Sequence, residues 1–136
     1  MKAVIRIKGK VNVPEKVGET LNRLRLKRKF ACVVVKPTAE NLGMIKKVTN
    51  FVAFGDIDKE TFMKLVEKRG KRIDKKKGIG NAEEFFEGKK KLEDINIKPF
   101  FRLHPARGGM DTKQGYPKGI LGNNKLEINK LIERML

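Results

Sequence analysis

The sequence of 136 residues contains one cysteine, one histidine and no tryptophan. One cysteine cannot form a disulfide within the chain, so a reducing, intracellular compartment is expected. Cys32 stands in an apolar segment, and we predict a small buried side chain there rather than a nucleophile. Because there is one histidine and no usable thiol, a metal site would depend on carboxylates alone. We therefore predict no metal, no cofactor and no catalytic residue.

Long apolar runs are also missing. No stretch approaches the roughly 18 apolar residues that a membrane-spanning helix needs, and no signal-like segment follows Met1. The lack of tryptophan removes the residue that most often anchors a protein at a membrane interface. The sequence therefore predicts no membrane partner.

Acidic residues are scarce relative to basic ones: 16 Asp and Glu stand against 33 Lys and Arg, which gives a net charge of +17. A small protein with this charge repels itself, and a polyanion is its natural complement. With the membrane set aside, nucleic acid is the expected partner.

In the first 56 residues, segments whose apolar residues are spaced as in a β-strand alternate with segments whose apolar residues are spaced as in an α-helix. The predicted elements are a strand at 3–8, a helix from Pro14 to about Leu26, a strand at 30–35, a helix capped by Thr38 and a strand at 51–54. In the first strand, Ile5 and Ile7 share one face and Arg6 and Lys8 the other, which predicts a half-buried strand. The segment 30–35 is short, apolar and β-branched, which predicts a strand buried on both faces. This pattern leaves the strand directions open.

Residues 57–136 are predicted to form an extension that packs on this core. Asp58 is expected to cap a helix, and Ile57 and Phe62 are expected to form a hydrophobic staple around that cap. A basic run follows Gly70, and Asn81 with Glu84 predicts a short helix whose phenylalanine pair, 85 and 86, belongs to the core. Residues 97–124 are rich in glycine and proline and have little regular structure. An amphipathic helix closes the chain, with the apolar stripe Ile128, Leu131, Ile132 and Met135.

Two stretches carry the chemistry expected of a nucleic-acid interface. The first is a dense basic block between the first helix and the second strand, at 23–29. The second is the Gly-rich segment at 102–124, in which glycines allow backbone to approach phosphate, arginines can pair with it and rings can stack on bases. The candidate RNA-binding residues are Arg6, Lys8, Arg23, Lys27, Arg28, Arg72, Lys75, Lys76, Lys77, Arg102, His104, Arg107, Lys113, Tyr116 and Lys118.

Other functions remain as alternatives. A free-standing nucleic-acid chaperone or chromatin protein could use the same basic surface. A small acylphosphatase-like hydrolase could use the turn Gly9–Asn12, although that turn has no arginine. No phosphate-binding or dinucleotide-binding glycine motif is present.

The stretch from Thr20 to Val52 resembles the large-subunit ribosomal protein thirty family. The matching positions are Thr20, Leu21, Leu24, Leu26, Arg28, Val33, Met44, Ile45, Val48, Phe51 and Val52. Ala31 departs from the small polar residue or histidine usual in that family. The segment FFRLHPARGG at 100–109 resembles the archaeal long form, whose eukaryotic counterpart is large-subunit protein seven.

This resemblance implies an α+β, ferredoxin-like β-α-β-α-β core, with a three-stranded, largely antiparallel sheet and two helices on one face. It implies a structural, non-catalytic role in the large ribosomal subunit of the cytoplasmic ribosome. The expected partners are large-subunit (23S) rRNA, with 5S rRNA as a candidate neighbour, and adjacent ribosomal proteins. No small-molecule substrate is expected.

Overall fold

The computed structural model describes residues 1–9, 13–74, 76, 78, 85, 95–98, 100–104, 115 and 119–136. Within these ranges the elements are β1 (Lys2–Arg6), α1 (Glu15–Arg23), β2 (Ala31–Val35), α2 (Ala39–Lys47), β3 (Val52–Asp56), α3 (Lys59–Arg69), β4 (Phe101–Arg102), β5 (Gly122–Asn123), a 3-10 turn (Lys125–Glu127) and α4 (Ile128–Met135). Helices and strands are thus combined as the α+β class predicts. None of the described helices is both long and apolar enough to cross a membrane.

The sheet has five strands in the order β4-β2-β1-β3-β5, two more than the three expected for the core. The central strand β1 pairs antiparallel with both β2 and β3. At one edge β4 adds antiparallel to β2, and at the other edge β5 adds parallel to β3. Both edge strands have only two residues, too short for a period-two pattern, and they come from the segment expected to be irregular.

Both faces of the sheet are covered by helices. On one face Val4 shares a core cluster with Leu21 of α1 and Ile45 of α2. On the other face, Ile5 shares a larger cluster with Phe62 of α3 and Ile132 of α4. The last four residues of β1 are therefore buried, and the prediction of a half-buried first strand is wrong. The second strand, β2, is buried on both faces as predicted.

Four local predictions about helix ends can be compared with the structure. The side chains of Thr38 and Asp58 each accept a hydrogen bond from the backbone N–H three residues later, so both predicted caps are confirmed. The first helix ends at Arg23 instead of about Leu26, because Arg25 adopts a φ of 64°, which is incompatible with a right-handed helix. Pro14 precedes the first helical residue instead of being that residue.

The described helices after β3 pack closely on the sheet. The apolar stripe of α4 is buried, and the rings of Phe62 and Phe85 lie 5.2 Å apart, which confirms Phe85 as a core residue. Gly55 continues β3, and a Cβ at this position would overlap the carbonyl oxygen of Lys125 and the side chain of Ile128. The glycine thus permits the chain after β5 to pass directly over β3. The predicted helix around 81–84 lies outside the described residues, and the division into 1–56 and 57–136 stays a prediction.

Candidate nucleic-acid interface

The basic loop, residues 24–30, connects α1 to β2. Leu24 and Leu26 are buried and anchor the loop in the core, and the N–H of Leu26 donates to the carbonyl oxygen of Leu21 at 2.8 Å. Positive φ angles at Arg25 and Phe30 (64° and 66°) turn the chain sharply at both ends of the loop. Because apolar anchors alternate with cations, the loop is held in place while its charged side chains are exposed.

Arg6 lies beneath this loop. Its guanidinium donates from Nη1 to the carbonyl oxygen of Leu26 at 2.7 Å and from Nε to that of Lys8 at 3.0 Å. Its own carbonyl oxygen accepts from the N–H of Phe30 at 2.7 Å. Only 3% of the residue is exposed, and burial lowers the pKa of Arg6 from its ordinary value. The prediction that Arg6 is an exposed, phosphate-facing cation is therefore wrong, because the side of β1 expected to be open is covered.

Strand β4 brings a distant arginine to the basic loop. Arg102 pairs with Ala31 at the start of β2, and the N–H of Leu103 donates to the carbonyl oxygen of Phe30 at 3.0 Å. The Arg102 guanidinium carbon lies 5.8 Å from the ring centroid of Phe100, a cation–π arrangement. The Gly-rich segment therefore begins at the edge of the sheet where the first basic block ends.

Together these elements form a depression of about 640 Å³, the basic groove. Five of its lining residues are cations: Arg23, Arg25, Lys27, Arg28 and Arg102. In the part of the chain that the structure describes, the groove is also lined by Asn22, Ala31 and Phe100. Five positive charges around one depression create a strongly positive local potential, and none of the described residues that line it is a carboxylate.

The positive surface continues over the helices. A second depression, of about 610 Å³, lies beside α1 and α2 and is lined by Lys16, Arg23 and Lys47 among others. Arg23 lines both depressions and forms an ion pair with Glu19 at 2.8 Å. This exposed pair leaves the charge of Arg23 partly compensated.

The structure does not bring all predicted candidates to the groove. Lys8, Arg72, Lys76 and His104 are exposed but do not line it. The ammonium group of Lys8 lies 5.7 Å from the ring of Phe51. The remaining candidates lie outside the described residues: Lys75, Lys77, Arg107, Lys113, Tyr116 and Lys118.

Sequence reasoning left Arg25 and Phe100 out of the candidate list, although both line the groove. Arg25 could have been included because it belongs to the same basic block. Phe100 lies two residues before the candidate Arg102, but this position indicates a place in the groove only once β4 is known to pair with β2.

The described part of the chain shows no cluster of metal ligands and no reactive thiol. There, no three His, Cys, Asp or Glu side chains come together as a metal ion would need. Cys32 is fully buried, and burial raises the pKa of its thiol to about 12. A thiol in that state is a poor nucleophile.

Comparisons with known proteins add an independent finding. Residues 2–52 match a family model described as ribosomal protein L30p/L7e. The chain is 40% identical to the large ribosomal subunit protein uL30 of Archaeoglobus fulgidus, with 99% of each chain covered. It is 38% identical to uL30 of Methanococcus maripaludis and 40% identical to that of Desulfurococcus amylolyticus, with at least 97% of each chain covered. The similarity thus extends over the whole chain.

Proposed function

Since this chain belongs to the ribosomal protein L30p/L7e family, we propose that it is a structural constituent of the large ribosomal subunit and binds the RNA of that subunit. The role is architectural: the protein holds RNA segments in place and performs no reaction. Adjacent ribosomal proteins are further partners, and the protein functions on the ribosome.

The observation that carries this proposal is the convergence of five cations at the basic groove. Arg28 and Arg102 are 74 positions apart in the chain, yet both line it. Arginine pairs with phosphate through two parallel N–H donors, which suits a fixed position on the RNA backbone. Such contacts determine where the protein sits without reading base sequence.

Further cations extend the contact beyond the groove. Lys16 and Lys47 line the neighbouring depression, and Lys8, Arg72 and Lys76 are exposed elsewhere. We assign these residues to additional phosphate contacts. We assign the Gly-rich segment, which begins at Arg102, to insertion along folded RNA. A protein that binds several RNA segments needs cations on more than one side, and this distribution supplies them.

Sedimentation of the tagged protein from cell lysate through a sucrose gradient tests the proposal. We expect stoichiometric co-migration with the large subunit at moderate salt and release only at high salt, because phosphate contacts weaken as salt rises. Migration at the top of the gradient at moderate salt would contradict the ribosomal role. A free-standing nucleic-acid chaperone or chromatin protein would migrate there and would bind DNA and RNA alike.

A further inference from the structure

We infer that the basic groove holds a single unpaired nucleotide of the RNA, with its base stacked on Arg102 and Phe100 and its phosphates paired with cations of the basic loop. This inference rests on the proposed function and specifies the kind of RNA element that the site accepts. A surface that met only the outside of a double helix would need cations alone.

The first observation is the planar surface inside the groove. The guanidinium of Arg102 lies over the ring of half-buried Phe100, 5.8 Å from its centroid. Arginine planes and aromatic rings are the two surfaces on which proteins stack unpaired bases. Stacking depends on the π-face that every base has, so such a site accepts a nucleotide without regard to its identity.

The second observation is the arrangement of charge and space around that surface. Arg23, Lys27 and Arg28 line the same groove as Phe100, so phosphate-binding groups and a stacking surface share one site. Ala31 lines the groove with a methyl group only, and a larger side chain there would occupy part of the 640 Å³. The presence of alanine at this position therefore favours the entry of a base.

The third observation is that the groove is held in shape before RNA binds. Arg102 is fixed by the pairing of β4 with β2, and Phe100 packs against the core cluster under α1 and α2. The basic loop is fixed by the hydrogen bonds of Arg6 to Leu26 and of Phe30 to Arg6. A preorganised site avoids part of the ordering cost of binding.

Two RNA probes with the same number of phosphates test the inference. One is an adenylate octamer, and the other is the same octamer with every base removed. We expect the full-length protein to bind the octamer with bases at least about fivefold more tightly in a fluorescence anisotropy competition, because base stacking adds to the phosphate contacts. Phe100→Leu, which keeps an apolar side chain against the core, should remove this preference.

Phe51→Leu is the matched control, since Phe51 is also half-buried with a cation, Lys8, over its ring, but does not line the groove. This variant should retain the preference. Circular dichroism and thermal unfolding establish that both variants are folded. In the unaltered protein, the NMR signal of the Ala31 methyl should shift with the octamer that has bases and not with the abasic one.

The possible results distinguish a failure of the unpaired-nucleotide site from a failure of the ribosomal role. Equal affinity for the two octamers, or a preference that Phe100→Leu retains, would overturn the unpaired-nucleotide site. Either of these results with normal co-migration in the sucrose gradient would leave the ribosomal role standing. Loss of co-migration would contradict the ribosomal role itself, whatever the octamers show.

Discussion

The guanidinium of Arg6 donates a 2.7 Å hydrogen bond to the carbonyl oxygen of Leu26, 20 residues further along the chain. The bond joins the end of β1 to the middle of the basic loop. The main-chain carbonyl of the same arginine accepts from Phe30, at the end of that loop. A buried arginine therefore organises a loop whose exposed residues carry the positive charge of the interface.

Replacement of Arg6 by methionine should destabilise the protein. The variant keeps an apolar stem but leaves the carbonyl oxygen of Leu26 without its donor, which costs about 1–3 kcal/mol for a buried group. Urea denaturation measures the loss, and Lys8→Met, which removes the same charge from an exposed neighbour, should change the free energy of unfolding little. Equal stability of Arg6→Met and the unaltered protein would show that the loop does not depend on this bond.

Neutralisation of two groove arginines should weaken RNA binding through lost phosphate contacts. For the double variant Arg28→Gln/Arg102→Gln, counterion release alone predicts a loss of roughly 30-fold at 0.15 M salt and a salt slope shallower by about two. Filter binding to large-subunit rRNA at several salt concentrations provides both quantities.

The control for this double variant removes the same charge from the opposite side of the sheet. Lys64 and Lys130 are exposed on α3 and α4, which cover the face away from α1 and α2. The double variant Lys64→Gln/Lys130→Gln should leave the salt slope nearly unchanged. Equal losses in the two double variants would indicate that net charge, and not the groove, governs binding.

Cys32 should be unreactive in the folded protein and should make stability sensitive to alkaline pH. Burial raises the pKa of this thiol from an ordinary 9.0 to about 12, so folding favours the protonated form. The resulting stabilisation is fully present below pH 9 and is lost as pH rises from 9 to 12, because the unfolded thiol ionises first. Labelling with a thiol reagent at pH 8 should therefore follow unfolding in urea; rapid labelling without urea would contradict the buried state.

Gly55→Ala should destabilise the docking of the chain after β5. A Cβ at residue 55 would overlap the main chain at Lys125 and the side chain of Ile128, and overpacking of this kind typically costs about 1–3 kcal/mol. Gly43→Ala is the control, because residue 43 lies in α2 with no atom near its Cβ position. That substitution should stabilise the protein by up to about 1 kcal/mol, since alanine is the better helix former. Thermal or urea unfolding of the two variants should give shifts of opposite sign.

The sequence alone determined the features that depend on neighbouring residues. Helical periodicity placed α1, α2, α3 and α4, and the side chains of Thr38 and Asp58 marked two helix starts that the structure confirms. The β-branched run before Lys36 predicted a strand buried on both faces. The basic block predicted a cluster of positive charge between the first helix and the second strand, and this cluster lies in the loop that forms one side of the groove. All of these signals act within one or two turns of chain, where side-chain spacing and backbone conformation are directly linked.

Only the tertiary structure decided which surfaces were covered and which distant residues met. Periodicity in β1 marked one apolar face, through Ile5 and Ile7, which packs against α3 and α4. The second face, which carries Val4 and Arg6, is covered by α1 and α2, and this makes Arg6 a buried support instead of an exposed cation. The two-residue strand β4 is too short to leave a pattern, yet its pairing with β2 places Arg102 beside Ala31. Pairing between strands about 70 residues apart follows from the packing of the whole sheet, and no local spacing encodes it.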